Sequence, residues 1–158
     1  MADIRLARPD DLDGILEVGR QTWPPTYVPL VGEEYVRTGL ARWWTPEGTN
    51  PSLNDGRVWV AEVGGRIVGM AMYGIADRVA EVWKLYVLPD FQGQGIGRAL
   101  LTSVIEAIRD TVDQIVLAHM DGNVSAREFF ERMGFVETHR ETDQLGGPDN
   151  VWMALRRW

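Results

Sequence analysis

The sequence predicts an α+β fold built on one mixed, mostly antiparallel sheet flanked by helices. Three observations predict it. Val58–Val63, Arg66–Ile75 and Ala80–Val87 are apolar and β-branched runs joined by tight turns, so they read as three successive antiparallel strands. The third run passes through a glycine-rich loop into Ile96, Leu100, Leu101, Val104, Ile105 and Ile108 at helical spacing, and then into the compact apolar run Gln114–Ala118. Two strands joined through a helix lie parallel, so the sheet is mixed. Finally, no linker or internal repeat divides the 158 residues, which suit a single domain over 1–158.

Taken in order, Asp3–Arg8 alternates and reads as a short strand. Pro9-Asp10-Asp11 opens a helix, with Asp10 as its cap and Leu12, Ile15, Leu16 and Gly19 as its inward stripe. Gln21–Tyr27 carries two prolines and reads as an aromatic loop. Glu33–Trp44 is an amphipathic helix through Tyr35, Val36, Leu40 and Trp43, and Thr45–Asn54 reads as loop from its Pro, Gly, Asn and Ser. Gly64-Gly65 is a two-residue hairpin turn and Asp77-Arg78 turns the chain into the central strand. Pro89 cannot continue a ladder and ends that strand near Val87. After Gln114–Ala118 and the turn Asp121-Gly122-Asn123, Ser125–Met133 is a helix stopped by Gly134. Phe135–Thr142 and Asn150–Arg156 are the last strands. The predicted order is β-α-α-β-β-β-α-β-α-β-β.

Composition narrows the function classes. Hydrophobic content of 45% and charged content of 25% are those of a globular protein. No apolar run is long enough to span a bilayer, and Met1–Arg5 lacks the features of a signal peptide, so a cytoplasmic location is expected with no membrane partner. Cysteine is absent, which excludes disulfides and thiolate metal sites, and no His/Asp/Glu spacing suggests a metal. A net charge of −7 argues against nucleic acid as a partner and mildly favours a cationic one, such as an amine.

The glycine-rich loop carries the chemistry. A helix start leaves backbone N–H groups unpaired and partly positive, and glycines let a bulky anion approach them. Strand, Gly-rich loop and helix together make a phosphate cradle, to which Arg98 adds a permanent charge. The dinucleotide fingerprint needs glycine where Arg98 stands, and the P-loop needs a lysine after Gly97, so both fail. Gln92-Gly93-Gln94-Gly95-Ile96-Gly97 does fit [QR]-x-x-G-x-[GA], and so resembles the pyrophosphate-binding motif of the GCN5-related N-acetyltransferases, the GNAT family. A second segment, Asn123-x-x-Ala126-x-x-Phe129-Phe130-Glu131-x-x-Gly134-Phe135, looks like that family's N-x-x-A-x-x-[FLY]-Y-x-x-x-G-F. The element order also matches, so the resemblance runs from near Ile4 to near Arg156.

The resemblance implies acetyl transfer from acetyl-CoA (coenzyme A) to an amine, without a covalent enzyme intermediate. It implies that amides of Gln92, Gly93, Gln94, Gly95, Ile96 and Gly97, with Arg98, hold the pyrophosphate. It also implies that the central parallel strands splay apart, that the pantetheine arm runs along Leu85, Tyr86 and Val87, and that Asn123 holds the arm from the other side. A backbone N–H near Leu85–Val87 would stabilise negative charge on the thioester oxygen, an interaction worth about 3 kcal/mol. Glu81 is the candidate general base, directly or through water, because an alkylammonium near pKa 10 must lose a proton before attack. The family's usual acid is a tyrosine where this chain has Phe130. Tyr86, His119 or water would then serve, or no acid is needed, because a thiol pKa near 8.5 makes the thiolate a tolerable leaving group. Phe130 would pack at the cofactor's sulfur end.

Trp23 and Tyr27 stand where the family covers its acceptor site and are expected to shape the amine pocket. The resemblance implies a small-molecule or peptide amine as acceptor. The two histidines, His119 and His139, read more readily as structural. The absent tyrosine supports a rival reading, a non-catalytic acyl-CoA-binding module acting as sensor or partner domain; acyl transfer to oxygen is a second rival that differs only in acceptor. A homodimer is expected from the family's habit and the apolar Trp158.

Overall fold

The computed structural model describes residues 1–158. Its elements are β1 (Asp3–Leu6), α1 (Leu12–Val31), α2 (Glu33–Trp43), α3 (Pro46–Asn54), β2 (Val58–Val63), β3 (Arg66–Ala76), β4 (Val79–Val87), α4 (Ile96–Ile108), β5 (Gln114–Met120), α5 (Val124–Arg132), β6 (Val136–Glu141) and β7 (Asn150–Leu155). The strands form one sheet in the order β1-β2-β3-β4-β5-β7-β6. Only β4 and β5 pair in parallel; every other neighbouring pair is antiparallel. The expected fold class is therefore the observed one.

Helices cover both faces. Tyr86 meets the rings of Trp23 and Trp44, on the α1–α2 side. Val87, next along the strand, lies against the first turn of α4 on the other side. The buried positions of α4 are Ile96, Leu100, Leu101, Val104 and Ile108, the stripe that the spacing predicts. Both β-turns are left-handed as a two-residue hairpin requires: Gly64 and Gly65 have φ of 57° and 81°, and Asp77 and Arg78 have 52° and 61°. The second turn is tied to the start of β5, since the Asp113 N–H donates to the Arg78 carbonyl at 2.7 Å.

Three local expectations are corrected. Gln21–Tyr27 is not a loop: α1 runs through Pro24, Pro25 and Pro29 to Val31. The prolines remove N–H donors, but their fixed φ is helical; Ile15, Val18, Gly19, Thr22 and Trp23 form a buried stripe before them, and Tyr27, Val28 and Val31 continue it, half-buried against the core, beyond Pro24 and Pro25. Burial of that stripe outweighs the missing bonds. Thr45–Asn54 is not a loop either. Thr45 caps α3 by accepting the Gly48 N–H at 3.0 Å, and Pro46 occupies the first turn, where its missing N–H is no loss. At the head of the chain, a 3₁₀ turn precedes α1, and the carboxylate that caps it is Asp11 rather than Asp10. Asp11 accepts the Arg8 N–H at 2.7 Å and is held by the Arg5 guanidinium at 2.8 Å, which keeps its carboxyl below the ordinary range.

Gly19 lets the first cover helix close on Trp44. A Cβ there would lie 2.1 Å from Cδ2 of that buried indole. In an open helix alanine is worth about 1 kcal/mol over glycine. Here we expect Gly19→Ala to lower the unfolding free energy by about 1–3 kcal/mol through overpacking, measured by urea denaturation.

Candidate functional site

The parallel pair is short. β4 and β5 align at Val79 with Gln114, Ala80 with Ile115 and Glu81 with Val116, and then separate. A bulge explains where. Met72 pairs with Lys84 and Tyr73 with Val82, so Trp83 has no opposite residue on β3. A bulge of this kind bends and twists its strand. The bulge lies two residues after Glu81, β4 turns away from β5 there, and a cleft of about 590 Å³ opens between them. The splay that the resemblance implies is present.

One end of the cleft is the start of α4. Gly93, Gly95, Ile96, Gly97 and Arg98 line it. The first bond into the helix is from the Ala99 N–H to Gly95, and no side chain caps the helix. The N–H groups of Ile96, Gly97 and Arg98 therefore have no partner inside the protein. Gly93 and Gly95 have φ of 76° and 84°, and a Cβ on either would meet nothing within 4 Å. This is an open, positively polarised cradle that fits a diphosphate. Gln92 also lines it, but its side chain is spent on the loop, donating to the Val87 carbonyl at 2.9 Å. Gln94 is the one motif residue outside the lining; its amide turns back toward the Asp90 carbonyl at 3.5 Å.

The walls are the parted strands and α5. Leu85, Tyr86 and Val87 line one side, Leu117, Ala118 and His119 the other. Asn123 lines the cleft and caps α5, accepting the Ala126 N–H on Oδ1 at 3.4 Å. Its amide NH₂ has no protein partner and remains available to a ligand. Phe130 lines the cleft and packs against Phe129, Phe135 and His119. Helix α5 ends as predicted: the Phe135 N–H bonds the Phe130 carbonyl and the Gly134 N–H bonds Glu131.

The other end lies under α1. Thr22, Thr26 and Tyr27 line it with Tyr86 and Lys84. The hydroxyls of Tyr27 and Tyr86 share a hydrogen bond at 3.1 Å, and burial pushes both phenols above their ordinary pKa. Trp23 does not reach the cleft; it stacks edge-on behind Tyr27 at 4.8 Å and holds that ring in place. Glu81 sits at the closed end, on the last residue pair before the strands part, outside the lining. Burial, then the charge of Glu141, raises its pKa.

Two residues of this end escape a reading by motif. His119 is 7% exposed, with Nδ1 3.2 Å from the Met120 carbonyl and no partner for Nε2. Lys84, the only lysine, is 9% exposed. Its ammonium donates to the Trp43 carbonyl at the end of α2, lies 4.2 Å from the Trp44 ring centroid and has no carboxylate partner. Burial lowers its pKa to about 8. The signal available in the sequence was a lone cation at an inward position of a β-strand.

The acetyltransferase (GNAT) family model matches residues 17–135. A probable N-acetyltransferase of Mycobacterium tuberculosis is 32% identical over 142 residues, covering 84% of this chain and 78% of that protein. An L-amino acid N-acyltransferase of Escherichia coli is 31% identical over 104 residues, covering 62% of this chain and 60% of its own. Among solved structures, a PaiA N-acetyltransferase of Thermoplasma acidophilum in complex with coenzyme A superposes with a TM-score of 0.85 at 20% identity, covering 99% of both chains.

Lys84 gives this end a pH signature. Its pKa is about 8 folded and 10.5 unfolded, so above pH 8 the unfolded chain holds more protons and stability from this group rises with pH. The raised phenol pKa values oppose this only above about pH 10. Between pH 8 and 10 we expect wild type to gain stability relative to Lys84→Met, by up to about 1.4 kcal/mol per pH unit, in paired thermal unfolding curves.

Proposed function

Because this chain belongs to the acetyltransferase (GNAT) family, we propose that it transfers the acetyl group of acetyl-CoA to a primary amine by direct attack while both are bound. The observation that supports this most is the unpaired helix start of α4, opening onto a cleft between two parted parallel strands. Bound there, acetyl-CoA supplies an acetyl group activated as a thioester. The amides of residues 93–98 and the Arg98 charge bind the diphosphate. The free edge of β4 from Leu85 to Val87 takes the extended arm as an added strand, and Asn123 donates to it from α5. A backbone N–H of that edge stabilises the charge that gathers on the thioester oxygen.

The acceptor amine enters at the Tyr27–Lys84 end, with Trp23 backing the wall. It arrives as an ammonium and must lose a proton. Glu81 is the base, acting through water because it stands at the closed end rather than in the wall. Its raised pKa makes its carboxylate a stronger base than an exposed one. The acceptor class is a small-molecule or peptide amine, as the acidic chain and aromatic wall favour.

An amine panel with free-thiol detection tests this reading. Thiol release dependent on one class of amine is expected; acetyl-CoA binding without release from any amine favours the rival binding module. Gly95→Glu places bulk and negative charge in the cradle, and we expect loss of coenzyme A binding by calorimetry. Unchanged affinity contradicts the phosphate assignment. Glu81→Gln should keep that affinity, lower kcat by about 10²-fold or more and abolish the acid limb of the pH–rate profile.

A further inference from the structure

We propose that the imidazole of His119 carries a proton from the attacking amine to the departing sulfur. The proposal rests on the acetyl-transfer reading above and gives that reaction a group it otherwise lacks.

His119 lies three residues beyond Val116, the last β5 residue paired with β4, so it stands on the lip where the strands part. It lines the cleft and is 7% exposed. Nδ1 lies 3.2 Å from the Met120 carbonyl. A carbonyl oxygen only accepts, so Nδ1 carries the hydrogen and the neutral ring presents a bare lone pair at Nε2. That atom is buried and has no partner in the protein. The other buried side-chain atoms without a partner are indole N–H groups of Trp23, Trp44, Trp59 and Trp152, none of which lines the cleft. Nε2 is thus the one orphaned acceptor of the site, and orphaned buried polar atoms call for a ligand or a catalytic task.

The remaining titratable groups of the cleft are committed. The hydroxyls of Tyr27 and Tyr86 bond each other, and the Lys84 ammonium donates to Trp43. Arg98 and Arg132 do not release protons. Phe130, stacked on His119 with centroids 6.5 Å apart and planes 30° apart, has no hydroxyl to offer.

The proton count leaves a place for such a group. An ammonium and a thioester give an amide, a thiol and one proton, so the acceptor nitrogen loses two protons and sulfur gains one. Glu81 conducts the first to solvent. As the nitrogen–carbon bond forms, Nε2 takes the second. As the carbon–sulfur bond breaks, Nε2 returns it to sulfur, and the ring ends in the state in which it began.

The test has two parts. The chain has two histidines, His119 and the exposed His139, so their imidazole NMR signals separate simply and His139 serves as internal reference. Coenzyme A should shift the Gly95 and Gly97 amides and the His119 ring. Adenosine 3′-phosphate 5′-diphosphate, which lacks the thiol arm, should shift only the glycine amides. If coenzyme A moves the glycines but not His119, the inference fails and the cofactor reading stands. If the glycines do not move, the reading fails and takes the inference with it. With an acceptor from the amine screen, His119→Gln should lower kcat about 10²-fold or more while coenzyme A affinity stays within about twofold. Added imidazoles should restore turnover to His119→Ala in the order of their basicity. An unchanged kcat in His119→Gln, or rescue that ignores basicity, overturns the assignment.

Discussion

The early end of one hydrogen-bond ladder governs this molecule. β4 and β5 share a ladder only as far as Glu81 and Val116. Buried backbone N–H and C=O groups need partners, so two neighbouring strands part only where something forces them. The force is geometric. Trp83 is the extra residue of a bulge, and its indole takes the space over Gly74, where a Cβ would fall 2.4 Å from the ring. Each strand keeps its outer partner: β4 stays on β3 through Val87, and β5 stays on β7 from Ile115 to Met120. The gap is therefore framed by two supported strands rather than by loops, which is how a site keeps its dimensions when empty.

The second constraint is electrostatic and local. The chain carries a net charge of −7, yet one end of its cleft is built for an anion. Net charge acts over a Debye length of about 10 Å and is screened by salt. The cradle acts by contact, through the unpaired amides of the first α4 turn and the fixed partial charge of the helix. Arg98 and Arg132 add charge at the same cleft. A protein can thus repel anions at long range and still grip one at short range.

Much of this was legible in the residues, and what was not has a common cause. The α4 stripe, the Gly64-Gly65 turn, the strand break at Pro89 and the α5 stop at Gly134 are local events, decided within a few residues of chain. The two misread stretches are cases where the tertiary structure overrules local signals. Pro24 and Pro25 punctuate the sequence, but Thr22 and Trp23 before them and Tyr27, Val28 and Val31 after them pack on the core, which holds the helix together. Thr45–Asn54 has a loop's composition, although Thr45-Pro46-Glu47 is a good helix start. In the site, the cradle and α5 could be read from motifs because their geometry is local. The unpartnered Nε2 of His119 and the burial of Lys84 could not, since each depends on what distant elements bring alongside. Trp23 stands one layer behind the cleft wall that it was expected to form, against Tyr27.

Lys84 links the two halves of the argument. It reaches from the opened strand to the last carbonyl of α2 and lies over Trp44, against whose ring Gly19 of α1 packs. One side chain thus ties β4 to the helices that cover the Tyr27 end of the cleft. It also leaves a cation there with no carboxylate beside it, in surroundings dry enough to lower its own pKa to about 8. Near neutral pH that charge is mostly present. On the proposed reading, an ammonium entering between Tyr27 and Lys84 would meet a like charge that little water screens, and a like charge favours the neutral form of an amine. On that reading, the feature that locks the cover onto the sheet would also loosen the proton of an amine acceptor, so that packing and reactivity would be set by the same residue.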